Sequence, residues 1–432
     1  MKKILAISFF LLVFSIIAFM INYSYLKDLL FYTPPTSQVP ADQIYQGISY
    51  EPLDPEKYEV KLLSSKLVSP SRVKLTPDEK HLLVSQLSGE IFAYERINND
   101  TWSSDPYLVT KIDTHFPGFP PNEAGLTGLV FSSEFEKNNN LFLLYTYKDR
   151  QGKTQNRISQ TKLSLKNGKL KGTKPKLIYE ANIEGAASHQ ITDGIGINYQ
   201  GQPHLLFLIG EGFKAENAQN PSLEAGKVIL IQENGLNPQD PRPYSENPKV
   251  EAIGIRNSYV ITPNLDEPGN FLFADSGPDK YDRIISAKFA LKSSPTPLNF
   301  LWRGNADDLA KPIPDPFNPK ITDLVIYRFP EPRTVTGMKM LPNSKGLLVT
   351  LFGQTGSNQN TPGKEILLGK ITDIEGQPSI TFESIIKRTT AANDKLGNPI
   401  GLEIDSKTKN FFFADILEGR LYEVVTKKGG DR

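Results

Sequence analysis

Residues 250–282 read VEAIGIRNSYVITPNLDEPGNFLFADSGPDKYD. From Ser258 an apolar segment runs into a Pro/Asn/Asp/Gly turn, and an apolar strand follows it, ending near Asp275. Two short β-rich runs joined by turn residues form a hairpin. The flanks are chemically rich: Gly254-Ile255-Arg256-Asn257 stands before the hairpin and Asp275-Ser276-Gly277-Pro278-Asp279 after it.

The same unit recurs along the chain. It is found in SRVKLTPDEKHLLVSQLSGEIFAYE from Ser71, GLVFSSEFEKNNNLFLLYTY from Gly128 and GIGINYQGQPHLLFLIGEG from Gly194. It returns in GMKMLPNSKGLLVTLFGQTG from Gly337 and IGLEIDSKTKNFFFADILEGRLYEV from Ile400. The spacing, roughly 60 to 75 residues, is long for a propeller blade but accommodates long loops between blades. Six units predict an all-β, six-bladed β-propeller over residues 57–427. A pair of β-sandwiches is the alternative. Nothing after Leu30 shows sustained helical periodicity, which weighs against α/β folds.

Composition agrees. The 432 residues are 38% hydrophobic and 10% aromatic, enough for a large core, and 32 glycines with 33 prolines suit many turns. A net charge of +1 gives no global pull towards nucleic acid. With no cysteine, disulfides, thiolate metal sites and thiol nucleophiles are excluded.

At the N-terminus, Lys2-Lys3 precede an apolar run from Ile4 to Ile21, about long enough to cross a bilayer. Without an Ala-x-Ala site after it, residues 1–24 read as an uncleaved transmembrane signal anchor. The propeller then lies on the exported side of the cell membrane; secretion after signal cleavage is the alternative. Residues 25–56, Pro-rich from Tyr32, read as an extended tether.

A propeller binds ligands on its axis, through loops of different blades. Of the four histidines, His81 and His204 follow turns at equivalent points of the repeat and suit surface or strand-end roles. His115 lies in a long loop. His189, in GAASHQITDG, is flanked by small residues and is the candidate general base.

Several of these segments, in this order, resemble the glucose/sorbosone dehydrogenase family. They are Glu123-Ala124-Gly125-Leu126-Thr127-Gly128-Leu129-Val130-Phe131, Asn156-Arg157-Ile158, Ser188-His189, Gly226-Lys227-Val228, Gly254-Ile255-Arg256-Asn257, Gly277-Pro278-Asp279 with Asp282, and Asn299-Phe300-Leu301-Trp302. That resemblance implies a six-bladed propeller oxidising an aldose with pyrroloquinoline quinone (PQQ) and calcium. It gives His189 the role of base and makes Glu211 a substitute for the acid that orients it. Arg256 would stabilise the reduced cofactor, with Asn257 and Trp302 also facing it. The carbonyls of Gly277 and Pro278 would hold calcium. The small-molecule partner would be a sugar, and the electron acceptor is left open.

Two stretches depart from the family. Where it sets a Lys and an Arg-x-Arg pair against the quinone carboxylates, this chain has Leu351-Phe352-Gly353-Gln354-Thr355 and Gly397-Asn398-Pro399-Ile400-Gly401. Each lost contact of this kind is worth roughly 1.5–3 kcal/mol. Lys339, Lys364 and Arg333 are the nearby bases that compensation would draw on. Two functions therefore stand side by side. One is an anchored quinone-dependent sugar dehydrogenase. The other is a catalytically degenerate propeller that binds a glycan or protein partner at the cell envelope. A metal-dependent sugar lactonase is a weaker third.

Overall fold

The computed structural model describes residues 45–427 apart from 117–122, 184–187, 238–239, 244–248, 266, 268, 290–296, 343–345, 354–362, 375, 391 and 393–396. Among the described residues, strands form six blades, antiparallel except where Lys249–Ile253 pairs in parallel with Leu298–Asn299 at the edge of the third, and one separate short hairpin. The innermost strands are Pro70–Leu75, Leu126–Phe131, Ile191–Tyr199, Ser258–Pro263, Val335–Met340 and Pro399–Ile404. Each packs beside the next, and the sixth returns to the first, closing a ring. The six sequence repeats each fall on one inner hairpin. The expected anchor, 1–24, lies outside the described residues. Among those described, no helix is long and apolar enough to cross a membrane.

Blade faces are covered on both sides, so the middle strands are nearly continuous apolar runs rather than alternating ones. His81–Gln86 and Phe411–Asp415 are buried throughout. The core is accordingly divided among the blade junctions. Leu206, Leu208 and Val228 of blade 3 pack on Phe271, Phe273 and Ile285 of blade 4. Ile284 and Ala274 of blade 4 pack in turn on Met338 and Val349 of blade 5.

Every inner strand carries a register shift near its first residues. A bulge of this kind re-aims a side chain, and here it turns hydroxyls towards the neighbouring blade. Ser71 donates to the Leu126 carbonyl at 2.5 Å, Thr127 to Ile191 at 2.7 Å and Thr336 to Pro399 at 2.9 Å. Thr192 makes the equivalent bond to Ser258. Just past the bulge, a Cβ on Gly128 would sit 2.7 Å from the Thr192 carbonyl oxygen, so only glycine allows this approach.

Arg72 crosses the axis. From blade 1 it donates to the carbonyls of Thr336 (3.0 Å), Thr192 (3.5 Å) and Tyr259, and it lies 3.8 Å from Asp193. Blades 3, 4 and 5 are thus tied to blade 1 through one buried cation.

The ring is closed by the start of the chain. Tyr58–Ser64 pairs with Arg420–Thr426 as the outer strand of blade 6. Upstream, within the stretch read as tether, Tyr50–Pro52 pairs with blade 5. Arg420 donates to the Gly47 carbonyl at 2.8 Å and to Ser49 at 3.0 Å, while the Tyr50 hydroxyl donates to Asp415 at 2.7 Å. Arg388 completes the clasp, 2.6 Å from Glu418 and 3.4 Å from Asp415.

Burial, then the charge of Glu418, push the Asp415 carboxyl up to about 6. A carboxyl raised in the folded state contributes stability that is full below its unfolded pKa, about 3.9, and is lost as pH rises through the folded value. The melting temperature is therefore expected to fall between pH 5 and pH 7, and to fall less in Asp415→Asn. Identical Tm–pH slopes in the two proteins would refute this.

Candidate active site

The loops above blades 3 and 4 bring the predicted residues together. His189 ends the loop that enters blade 3 and adopts a left-handed backbone, φ 57°. Its amide donates to Glu123 at 2.7 Å, and its carbonyl accepts from the Gly212 amide at 3.0 Å. Glu211 leaves the next strand with its carboxylate 2.8 Å from His189 Nδ1, and both side chains are buried. A carboxylate there fixes the proton on Nδ1 and leaves Nε2 its lone pair. The Phe213 ring stacks on the imidazole, centroids 3.9 Å apart.

Glu211 is held from two sides. Its amide donates to the Arg256 carbonyl at 2.9 Å, and its own carbonyl accepts from Asn217 Nδ2 at 3.0 Å. Asn217 belongs to the short helix Ala215–Gln219. That helix is anchored by Lys227, which donates to the carbonyls of Asn217, Ala218 and Ala225 at 2.5–3.0 Å. Burial pushes the Lys227 ammonium down to about 7.

Arg256 and Asn257 form the opposite lip. Asp275 accepts from both amides, at 3.1 and 2.9 Å. The Arg256 guanidinium donates to the carbonyls of Ser276 (3.0 Å) and Gly277 (3.2 Å), and it sits 5.6 Å from the ring centre of Trp302. Asn257 Nδ2 reaches Glu123 at 3.1 Å and the Tyr259 hydroxyl at 3.0 Å, while its Oδ1 is buried without a partner among the described residues. Burial, then the Glu123 charge, hold the Tyr259 phenol far above its ordinary value. Glu123 thus links His189, Asn257 and Tyr259. In the sequence Glu123 stands only within the EAGLTGLVF segment, with nothing to mark it as a partner of His189.

The turn after Asp275 is tightly specified. A Cβ on Gly277 would meet the Lys280 carbonyl oxygen at 1.9 Å. Asp282 accepts from the amides of Gly277, Arg333 and Thr334 at 2.6–2.7 Å, bracing this turn against blade 5. Pro278 is exposed.

On the axis beside this cluster is a cavity of about 180 Å³. Glu123, Ser188 and Tyr259 line one wall, and Leu87, Phe352, Ile400 and Ile416 line the other. Arg72 is its described cation, and its guanidinium is already hydrogen-bonded to carbonyls. Neither Arg333 nor Lys339 lines this wall, whereas Lys364 lies next to it, its amide donating to the Leu351 carbonyl at 2.8 Å beside Phe352. Arg333 is paired with Glu365 at 2.8 Å. Lys339 is paired with Glu403 at 2.9 Å in a separate cavity with Lys74. His81 and His204 sit in strands at hairpin ends, as expected, but both are buried.

Together these features define a six-bladed propeller with a histidine–carboxylate pair and an arginine at one end of its axis. A family model for glucose/sorbosone dehydrogenases matches residues 67–288, just over half of the chain, and the chain belongs to that family. Solved structures share the fold. The soluble aldose sugar dehydrogenase of Escherichia coli in its apo form is 15% identical, with a TM-score of 0.61 over 86% of this chain and 100% of that one. The PQQ-bound aldose sugar dehydrogenase of Streptomyces coelicolor is 14% identical, with a TM-score of 0.59 over 87% and 100%. The holo PQQ domain of pyranose dehydrogenase from Coprinopsis cinerea is 12% identical, with a TM-score of 0.64 over 87% and 97%.

Proposed function

We propose that this chain is an aldose sugar dehydrogenase that uses a quinone as its oxidant, with His189 as the general base. The observation that carries this reading is the buried 2.8 Å pair of His189 Nδ1 and Glu211. It leaves Nε2 free to take the proton of the anomeric hydroxyl as C1 gives up its hydride. Glu211 stabilises the imidazolium that results, and Arg256 supplies a fixed positive charge at the same rim.

PQQ fits the described residues in part of its chemistry. Arg256 and the unpartnered Oδ1 of Asn257 offer it a charge and a polar contact, and the wall of Phe352 and Ile400 suits a flat aromatic body. When bound, it would supply the hydride acceptor. Among the described residues its three carboxylates find few cations, so it should bind more weakly than in a site with a full basic wall.

Calcium fits poorly. Gly277 already gives its carbonyl to the Arg256 guanidinium, which a metal ion on the same oxygen would repel. No step is derived through the metal.

The scarcity of cations on the described cavity lining, where Arg72 is already bonded to carbonyls, favours the second reading, a propeller that holds a glycan without oxidising it. One assay separates the two. Purified protein is incubated with excess PQQ, with and without calcium, and given aldoses and a redox dye. Dye reduction and a PQQ-dependent thermal shift are expected in both conditions. Neither effect with any aldose would refute the dehydrogenase reading.

For location, the apolar run Ile4–Ile21 supports an exported, membrane-anchored propeller. Recovery of the chain in a carbonate-soluble fraction would overturn that.

A further inference from the structure

Phe213 has no role in the proton transfer described above, yet its conformation is costly. Its backbone is left-handed, φ 60°, which a bulky side chain adopts rarely. Three other bulky non-glycine residues share that conformation around this rim: His189, Tyr281 and Leu301. Strain collected at one rim points to a site. The strain does not bury the phenyl ring, which is 58% exposed. One of its faces is covered by the imidazole, at an interplanar angle of 20°, so the residue's exposure lies on the other face and the edge. The Gly212 amide fixes the loop by its bond to the His189 carbonyl, so the ring is held in place rather than trailing in solvent.

A rigid, outward-facing aromatic face beside polar groups suits the C–H face of a pyranose, whose hydroxyls stay in water at its edge. A sugar on that outer face is one full aromatic layer away from the imidazole. It is not the unit whose anomeric hydroxyl reaches Nε2. We propose that Phe213 is the floor of a second sugar subsite, and that the substrate is an oligosaccharide. Its reducing end would face His189 and its neighbouring pyranose would pack on the phenyl ring. Tyr281, packed on the cluster of Ala218, Trp302 and Leu309, would flank that second unit. This inference rests on the dehydrogenase reading for the reacting end, but the subsite itself is a matter of binding.

The test measures binding without turnover. Saturation-transfer NMR and calorimetry compare glucose with maltose and cellobiose on the wild-type protein, Phe213→Ala and Phe213→Leu. The wild type is expected to bind at least one disaccharide about 5- to 10-fold more tightly than glucose. In both variants that ratio should fall towards one, Phe213→Leu keeping the bulk should Phe213→Ala fold poorly. Equal affinity for glucose and disaccharides in the wild type would overturn the proposal. So would a loss in the variants that weakens glucose and disaccharides alike, since the ring would then merely cover His189. The dye assay separates the two levels: disaccharide binding with no dye reduction by any sugar leaves the subsite standing and removes the dehydrogenase.

Discussion

Replacing His189 by glutamine is expected to lower kcat for aldose oxidation by about 10²–10⁴-fold, the usual contribution of a positioned base. Glutamine retains an N–H that can face Glu211, so the buried carboxylate keeps a donor, but it has no lone pair able to accept the substrate proton. Alanine is the poorer test. It would leave Glu211, which is 3% exposed, without its partner and confuse catalysis with stability. Glu211→Gln should lose activity for the complementary reason. An amide in place of the carboxylate frees the Nδ1 proton to migrate and no longer balances an imidazolium. In both variants the loss should lie in kcat, with KM for the sugar little changed, because neither change removes ground-state binding. Steady-state dye reduction with a matched melting curve is the measurement. A His189→Gln enzyme within tenfold of wild type would show that another group takes the proton.

The propeller was legible because its signal is repeated. Six strand–turn–strand units each place an apolar run where a blade must be buried on both faces, and a single weak unit is rescued by the other five. That His189 and Arg256 come to one rim was readable for a related reason: they lie in short segments whose order is kept. Three contributors were not readable. Glu123 acts through contacts to His189, 66 residues away, and Asn257, 134 residues away. Arg72 looks like any basic residue in a strand until the ring closes around it. Phe213 follows Gly210-Glu211-Gly212 and looks like a loop residue. Its signal was a bulky side chain where the chain turns sharply, which suggests strain but not what the ring faces. The residues 45–56 were read as tether from proline content alone. Their pairing with blade 5 depends on Arg420 and Asp415, at the other end of the chain.

The largest loss of stability is expected from Asp275→Ala, about 3–5 kcal/mol, the cost of leaving a buried charge without its partner. Arg283 is fully buried, and its pKa is pushed down by that burial. Its Nη2 lies 2.6 Å from Asp275, Nη1 donates to the Phe300 carbonyl at 2.8 Å, and Nε has no partner among the described residues. Removing the carboxylate leaves a guanidinium with one carbonyl for company. The converse change, Arg283→Met, should cost less, since Asp275 keeps the amides of Arg256 and Asn257 and methionine fills much of the volume. The double variant Asp275→Leu/Arg283→Met should be more stable than Asp275→Ala, because no charge remains to be solvated. Denaturant unfolding of the three proteins tests the order. Asp275→Ala no less stable than Arg283→Met would show that the ion pair is not what holds this blade. The same carboxylate aims Arg256 at the Ser276 and Gly277 carbonyls. Asp275→Ala should therefore also weaken the PQQ-dependent thermal shift, whereas Arg283→Met, which spares those two amide bonds, should weaken it less. Blade 4 thus uses one buried acid both to neutralise its core arginine and to set the lip of the site, so folding and function fail together when it is removed.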